Sequence, residues 1–293
     1  MPKEDSIRAF IEECGTGDLA AYLISAEAAE TGLSADELRA SMAERWDVMR
    51  ASAAAALESA DRSLSGLTGG MGARLYAADR ALPGGETLRK AAAYALAIAE
   101  YNAQMGRIVA APTAGACGIL PAALLTAIEQ RAGHSPVLNN NIPQELIIDA
   151  LFCAAAVGRV IASRASVSGA QGGCQAECGS AAAMTAAALT ILYGGTAAEM
   201  EHAVAFALMN TMGLVCDPVG GFVEIPCVFR NVMGVGLALS CADMALAGIK
   251  SIIPADEIID AMREVGDSMP AQLKETGLGG CAACPTARAC ARG

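Results

Sequence analysis

Eleven cysteines in a chain of 293 residues are the side chains best suited to chemistry, and their surroundings divide them. Cys117, Cys153 and Cys241 sit among apolar or small neighbours and read as core residues, the usual place of a free thiol. Cys14, between Glu13 and Gly15, reads as an incidental thiol near a helix end. Cys174 leaves a glycine elbow at Gly172-Gly173, Cys216 precedes Asp217-Pro218 at an apparent helix end, and Cys227 follows Pro226 just before a new helix. At such positions the backbone can bring a sulfur up to a ligand. Cys178, one helical turn beyond Cys174, reads as packing. Three thiolates leave one iron of an iron–sulfur cluster open, whereas four saturate it, and an open iron is a Lewis acid that can polarise a leaving hydroxyl. The separations here, 42 residues and then 11, match no compact ferredoxin pattern. Spacing alone therefore leaves buried thiols and cluster ligands both standing.

The other polar candidates lie on Gly-rich elbows: Ser65–Gly70, Pro112–Gly115, Ser168–Gly173, Asp217–Gly221 and, at the start of the tail, Thr276–Gly280. Glycine permits positive φ and close approach of backbone to a ligand. Thr113, Gly115, Ser168 and Gly169 on these elbows are candidates for holding a substrate carboxylate with hydroxyls and backbone N–H groups, as preorganised donors do. Asn210, near Cys216, is a further polar candidate or else a helix-terminal cap. Glu177 follows Cys174 by three residues and is either near that site or a surface charge. His134 and His202 read as surface residues.

Helices must position these groups. Hydrophobic residues make up 54% of the chain and aromatics only 4%, so the apolar mass is chiefly Ala, Leu, Ile, Val and Met. Ala and Leu lead the helix-propensity ranking, and the expectation is a compact all-α body with close helix contacts. Ser34-Ala35-Asp36-Glu37 and Thr196-Ala197-Ala198-Glu199 are capping boxes. Pro143 and Pro254 each precede an acidic first turn, which suits a helix start. The best candidate for a strand is the short run Phe222–Ile225. A helical layer over residues 1–60, a helical catalytic domain over 61–275 and a Cys-containing tail over 276–293 are expected.

The net charge of −11 shows no basic stripe, so no nucleic-acid partner is expected. The charge-free windows Ile108–Ile128 and Gly179–Ala198 are broken by proline and glycine or are mostly Ala, Thr and Gly, and no membrane span is expected. The N-terminus, Met1-Pro2-Lys3-Glu4-Asp5, lacks a secretory signal. With no sign of a secreted disulfide scaffold, the expectation is a cytoplasmic protein whose thiols are buried or bind metal.

The stretches SGAQGGCQAECGSAAAM (168–184), MGLVCDPVGGFVEIPCVFRN (212–231), APTAGACGILPAAL (111–124) and TGLGGCAACPTAR (276–288) resemble the α subunit of iron–sulfur-dependent L-serine dehydratases. The resemblance runs in order from about residue 60 to 288. It implies an all-helical catalytic domain and a [4Fe–4S] cluster on Cys174, Cys216 and Cys227. It also implies β-elimination of L-serine to pyruvate and ammonia without pyridoxal phosphate. The family's second module carries a Pro-Ser-Ser-Ser-His-Thr motif that this sequence lacks, so a separate β subunit is the implied partner, within an oligomer. Family tails usually read Gly-Gly-Leu-Ala-Ala-Thr-Pro-Thr, where this chain has Cys281-Ala282-Ala283-Cys284-Pro285 and then Cys290. One expectation is that a tail thiol caps the open iron when substrate is absent. The alternatives to serine dehydration are a lyase acting on L-cysteine or L-threonine and an iron–sulfur redox or sensor protein.

Overall fold

The computed structural model describes residues 6–133 and 142–290, the side chains of 131–133 excepted; His134 lies outside the described residues. The described chain forms thirteen α-helices and no β-strand: α1 (Ile7–Cys14), α2 (Leu19–Thr31), α3 (Ala35–Glu58), α4 (Met71–Tyr76), α5 (Gly85–Ala103), α6 (Ile119–Gly133), α7 (Gln144–Arg164), α8 (Gly169–Gly172), α9 (Ser180–Leu192), α10 (Ala197–Thr211), α11 (Cys227–Leu246), α12 (Ala255–Ser268) and α13 (Pro285–Cys290). Short 3₁₀ turns and one π turn, Gln175–Gly179, join them. The expected all-α body is what forms.

Helix α9 is the axis of the fold. Ala181, Ala182, Ala183, Ala186, Ala187 and Ala188 are all fully buried along it, and α7, α10, α11 and α6 surround it. Alanine costs little side-chain entropy in a helix, and its small volume lets four neighbours approach one helix. Two polar residues inside this apolar column are satisfied locally: Thr185 and Thr190 donate to the carbonyls of Ala181 and Ala186, at 2.7 and 2.8 Å. Such i−4 bonds satisfy a buried hydroxyl within its own helix.

Helices α1–α3 lie outside this body and share its core. Ile7, Leu23, Trp46 and Met49 belong to the same apolar cluster as Leu151, Leu189 and Leu208. Both capping boxes form as expected, with Ser34 and Thr196 accepting from the backbone N–H groups of Glu37 and Glu199. Pro143 and Pro254 occupy the N-cap positions of α7 and α12. Asp256, in the acidic first turn of α12, accepts from the Ser6 hydroxyl and the N–H groups of Ile7 and Arg8, which pins α1 to α12.

Helices α7 and α11 are long and apolar enough to cross a membrane by length and composition alone; 67% of the apolar window of α7 is buried inside the fold. The two charge-free windows of the sequence form no such helix: one spans a loop, a 3₁₀ turn and α6, the other the π turn and α9.

The run Phe222–Ile225 is a loop, which corrects the expectation of a short strand. No strand pairs with it among the described residues. Glu224 points inward instead, where its carboxylate accepts the hydroxyls of Ser63, Ser65 and Thr68. That capture, rather than a β ladder, fixes the loop.

Candidate active site

The elbow Ser168–Gly173 ends in the π turn Gln175–Gly179 that leads into α9. A π turn is rare and recurs at functional sites. Here it sets Cys174, Glu177 and Cys178 within a single widened turn. Gln175, fully buried, holds the turn in place: its Nε2 donates to the Met262 carbonyl at 2.8 Å, and its Oε1 accepts from Gly213 N–H at 2.8 Å. Its backbone N–H donates to the Leu214 carbonyl at 2.9 Å. The π turn is thereby fastened to the segment that enters Cys216.

Cys174, Cys216 and Cys227 come from three separated segments and meet around this turn, each nearly buried. Cys178, fully enclosed behind Cys174, pairs with it; that contact and the nearby Arg230 hold the Cys174 thiol below its ordinary range despite burial, while Cys178 is pushed well up. Burial is the first cause that raises the other two, Cys227 to about 12 and Cys216 further, with Cys174 and Glu177 adding to it. These thiols are close enough to feel one another's charge.

Glu177 faces the same space. The Cys216 thiol donates to its Oε2 at 3.8 Å. A Cβ on Gly169 would lie 2.7 Å from Glu177 Oε2 and 2.8 Å from Cys216 Sγ, and one on Gly115 would lie 3.6 Å from Glu177 Oε1 and 3.8 Å from Thr113 Oγ1. A Cβ on Gly115 would also lie 3.0 Å from Val223 Cγ1, so the absence of a side chain at both elbows lets their backbones pack close to the carboxylate. Burial pushes the Glu177 carboxyl above its ordinary value; the Thr113 hydroxyl, the Cys216 thiol and Arg230 oppose that, and Glu275 reinforces it. The Thr113 hydroxyl is buried beside this carboxylate and has no hydrogen-bond partner of good geometry.

Behind the thiols lies a buried ion pair. Arg230 on α11 donates to Asp217 Oδ1 at 2.7 Å and to the Val215 carbonyl at 2.7 Å. Asp217 Oδ2 accepts from the backbone N–H of Cys281 at 2.6 Å. The residues around Cys216 are held from a second side, by Cys216 N–H to the Leu273 carbonyl at 2.9 Å and Glu275 N–H to the Cys216 carbonyl at 2.7 Å. The tail is therefore seated against the segment that carries Cys216.

The sequence reading missed Asn231. This fully buried side chain donates to the carbonyls of Gly115, at 2.7 Å, and Cys227, at 2.9 Å, and accepts from Gly118 N–H at 2.9 Å. One amide so ties the Thr113–Gly118 elbow to the helix that begins at Cys227. Its signal was an amide inside the apolar helix CVFRNVMG, since a buried polar group demands partners. Glu100 was also missed; it accepts from the N–H groups of Gly69, Met71 and Gly72 and shapes the Ser65–Gly70 elbow.

Of the expected site residues, Thr113, Gly115 and Gly169 adjoin Glu177 and the thiols. Ser168 is the half-buried N-cap of α8. Asn210 is exposed on α10, and its amide donates to the Phe206 carbonyl of its own helix at 2.9 Å. His202 is partly exposed on the same helix. The expected core cysteines, Cys117, Cys153 and Cys241, are buried.

Thiols are soft donors, and this donor set suits an iron–sulfur cluster. Among the described residues no three His, Cys, Asp or Glu side chains gather closely enough on one point for a single metal ion. The site joins buried thiols, glycine elbows and one buried carboxylate in an all-α protein.

The family model for the serine dehydratase alpha chain matches residues 17–282, and the chain belongs to that family. It is 45% identical over 268 residues to a protein of Bacillus subtilis named probable L-serine dehydratase, alpha chain, covering 91% of this chain and 86% of that one. The L-serine dehydratase alpha chain of Peptoniphilus asaccharolyticus is 41% identical over 288 residues, covering 96% and 95%. A longer L-serine dehydratase of Mycobacterium bovis is 44% identical over 189 residues, which are 64% of this chain and 40% of that one.

Proposed function

We propose that this chain is the catalytic α subunit of a cytoplasmic L-serine dehydratase, which eliminates water from L-serine and yields pyruvate and ammonia. The observation that carries the proposal is the match to alpha chains over nearly the whole length, supported by buried thiols at Cys174, Cys216 and Cys227 and by the Glu177 carboxylate beside Cys216. Those three cysteines would hold a [4Fe–4S] cluster. When bound, a cluster with one open iron supplies a Lewis acid for the departing hydroxyl.

The chain's own residues supply the rest. Thr113 Oγ1, buried beside Glu177 with no hydrogen-bond partner of good geometry, and the backbone of the Thr113–Gly118 elbow suit the substrate carboxylate, which gains from donors already in place. Glu177 lies between the two elbows and is the side chain positioned to take the α proton. Asn231 and Gln175 hold the elbows in register.

A β chain is the proposed partner, as the names of the relatives imply. The longer relatives, of which this chain spans about 40%, fit a second module carried in one polypeptide.

The test is pyruvate formation from L-serine by anaerobically reconstituted protein with its β chain, comparing the wild type with Cys216→Ser and Glu177→Gln. Turnover in the wild type that is lost in both variants is the expected result. Iron-loaded protein that releases no pyruvate from L-serine would overturn the proposal, and release of pyruvate from L-cysteine in its place would redirect it.

A further inference from the structure

The tail carries three thiols that the lyase reading leaves unused, Cys281, Cys284 and Cys290, all exposed. Two of them stand at the ends of one tight turn. Residues Gly280–Ala283 form a 3₁₀ segment, and Cys284 N–H donates to the Cys281 carbonyl at 3.1 Å. A four-residue turn closed this way brings its terminal Cα atoms within about 7 Å. A disulfide needs roughly 4.4–6.8 Å between Cα atoms. Ala282, between them, is 5% exposed and anchors the inner face of the turn, which leaves both thiols at its surface.

The turn is seated rather than loose. Gly280 takes the left-handed conformation (φ 56°), and a Cβ there would lie 2.2 Å from Asp217 Oδ2, so only glycine lets the chain pass this carboxylate. Cys281 N–H then donates to the same oxygen at 2.6 Å. Beyond the turn, α13 packs against the segment Val219–Gly221. The other oxygen of Asp217 receives Arg230, and Asp217 directly follows Cys216. We propose that Cys281 and Cys284 form a reversible dithiol–disulfide couple, a redox-active modification site docked on the Asp217–Arg230 pair beside the cluster thiols.

The oxidant is a small-molecule disulfide such as glutathione disulfide. The Cys284 thiolate attacks one of its sulfurs, breaks the S–S bond and releases one glutathione thiolate. The Cys281 sulfur then attacks Cys284 Sγ in the mixed disulfide and releases the second glutathione. The protein loses two protons and two electrons, and one disulfide becomes two thiols. The order follows from position: burial, and then the Asp217 carboxylate beside it, disfavour a thiolate at Cys281, and the thiolate is the nucleophile. Oxidation ties together the two ends of the turn that presents Cys281 N–H to Asp217.

The experiment uses full-length protein, purified anaerobically with its iron and β chain and equilibrated in glutathione buffers from fully reduced to fully oxidised. Acid quenching, alkylation and trypsin then isolate Glu275–Arg288. The expected result is a peptide two hydrogens lighter and carrying no alkyl group in the oxidised buffers, restored by excess thiol and unchanged by Cys290→Ser. In Cys281→Ser the same treatment should trap glutathione on Cys284. Two alkylated thiols in every buffer, stable glutathione on both cysteines of the wild type, or a bond from either one to Cys290 would each overturn the proposal. The readout is mass alone, so it fails or succeeds independently of serine turnover.

Discussion

Replacing Asn231 with alanine removes three hydrogen bonds that join the Thr113–Gly118 elbow to α11. Their loss is unequal. Cys227 begins α11, and its carbonyl keeps an ordinary helical partner. The Gly118 N–H and the Gly115 carbonyl lose their amide partner in a place closed to water, since Asn231 is fully buried. Two orphaned groups at roughly 1–3 kcal/mol each put Asn231→Ala at about 2–6 kcal/mol, a large part of an ordinary domain's roughly 5–15 kcal/mol. Urea denaturation of the isolated chain, followed by circular dichroism, measures this directly. Asn210→Ala is the control, an exposed amide whose loss should stay within about 0.5 kcal/mol. Asn231→Asp keeps the shape but turns an acceptor toward two carbonyls, so it should be no milder than alanine. A cost below about 1 kcal/mol for Asn231→Ala, the worth of a single ordinary hydrogen bond, would refute the reasoning and mean that packing alone fastens the elbow to the Cys227 helix.

Two further outcomes follow from the site's walls. Gly169→Ala should place a methyl 2.7 Å from Glu177 Oε2 and 2.8 Å from Cys216 Sγ; both are side-chain atoms that can yield, so stability should fall by only about 1–3 kcal/mol while iron per chain and pyruvate formation drop sharply. Unchanged iron content and turnover would show that the pocket is not where these atoms place it. Burial works to raise the Glu224 carboxyl, but the hydroxyls of Ser63, Ser65 and Thr68 outweigh it and leave the group below its ordinary value. A depressed folded value stabilises the fold above the unfolded value near 4.3, and that contribution disappears as pH falls through the folded value. Denaturation midpoints of the wild type should therefore fall more steeply below pH ~4.3 than those of Glu224→Gln, and parallel curves would refute the assignment.

What could be read in advance was local. The capping boxes at Ser34 and Thr196 need only a residue and its third neighbour, and both formed. The small-residue composition predicted close-packed helices, and α9 is built that way, with alanine after alanine in full contact. Cys174, Cys216 and Cys227 stood out because each leaves or precedes a loop-making glycine or proline. Phe222–Ile225 misled because alternation describes a strand only where another strand is present to pair, and the inward pull on Glu224 comes from residues up to 161 positions away.

Distance in sequence also explains why the supports of the site stayed hidden. Asn231 acts on Gly115 across 116 residues, and Gln175 on Met262 across 87; neither partner is marked by type, since each is a backbone carbonyl. A thiol announces its chemistry by what it is, whereas an amide that holds two elbows together announces it only by being polar where its helix is apolar. The sequence therefore exposes the groups able to react sooner than those that aim them. In this fold the aiming groups are buried amides and carboxylates, Asn231, Gln175, Glu100 and Asp217, each spanning two segments. Losing any one of them would leave a backbone group or a charge without its partner inside the protein, a penalty of the kind that keeps buried polar networks fully satisfied. The precision of the site thus rests on the cost of breaking that network, and the glycines at 115 and 169 let its elbows pack close to Glu177.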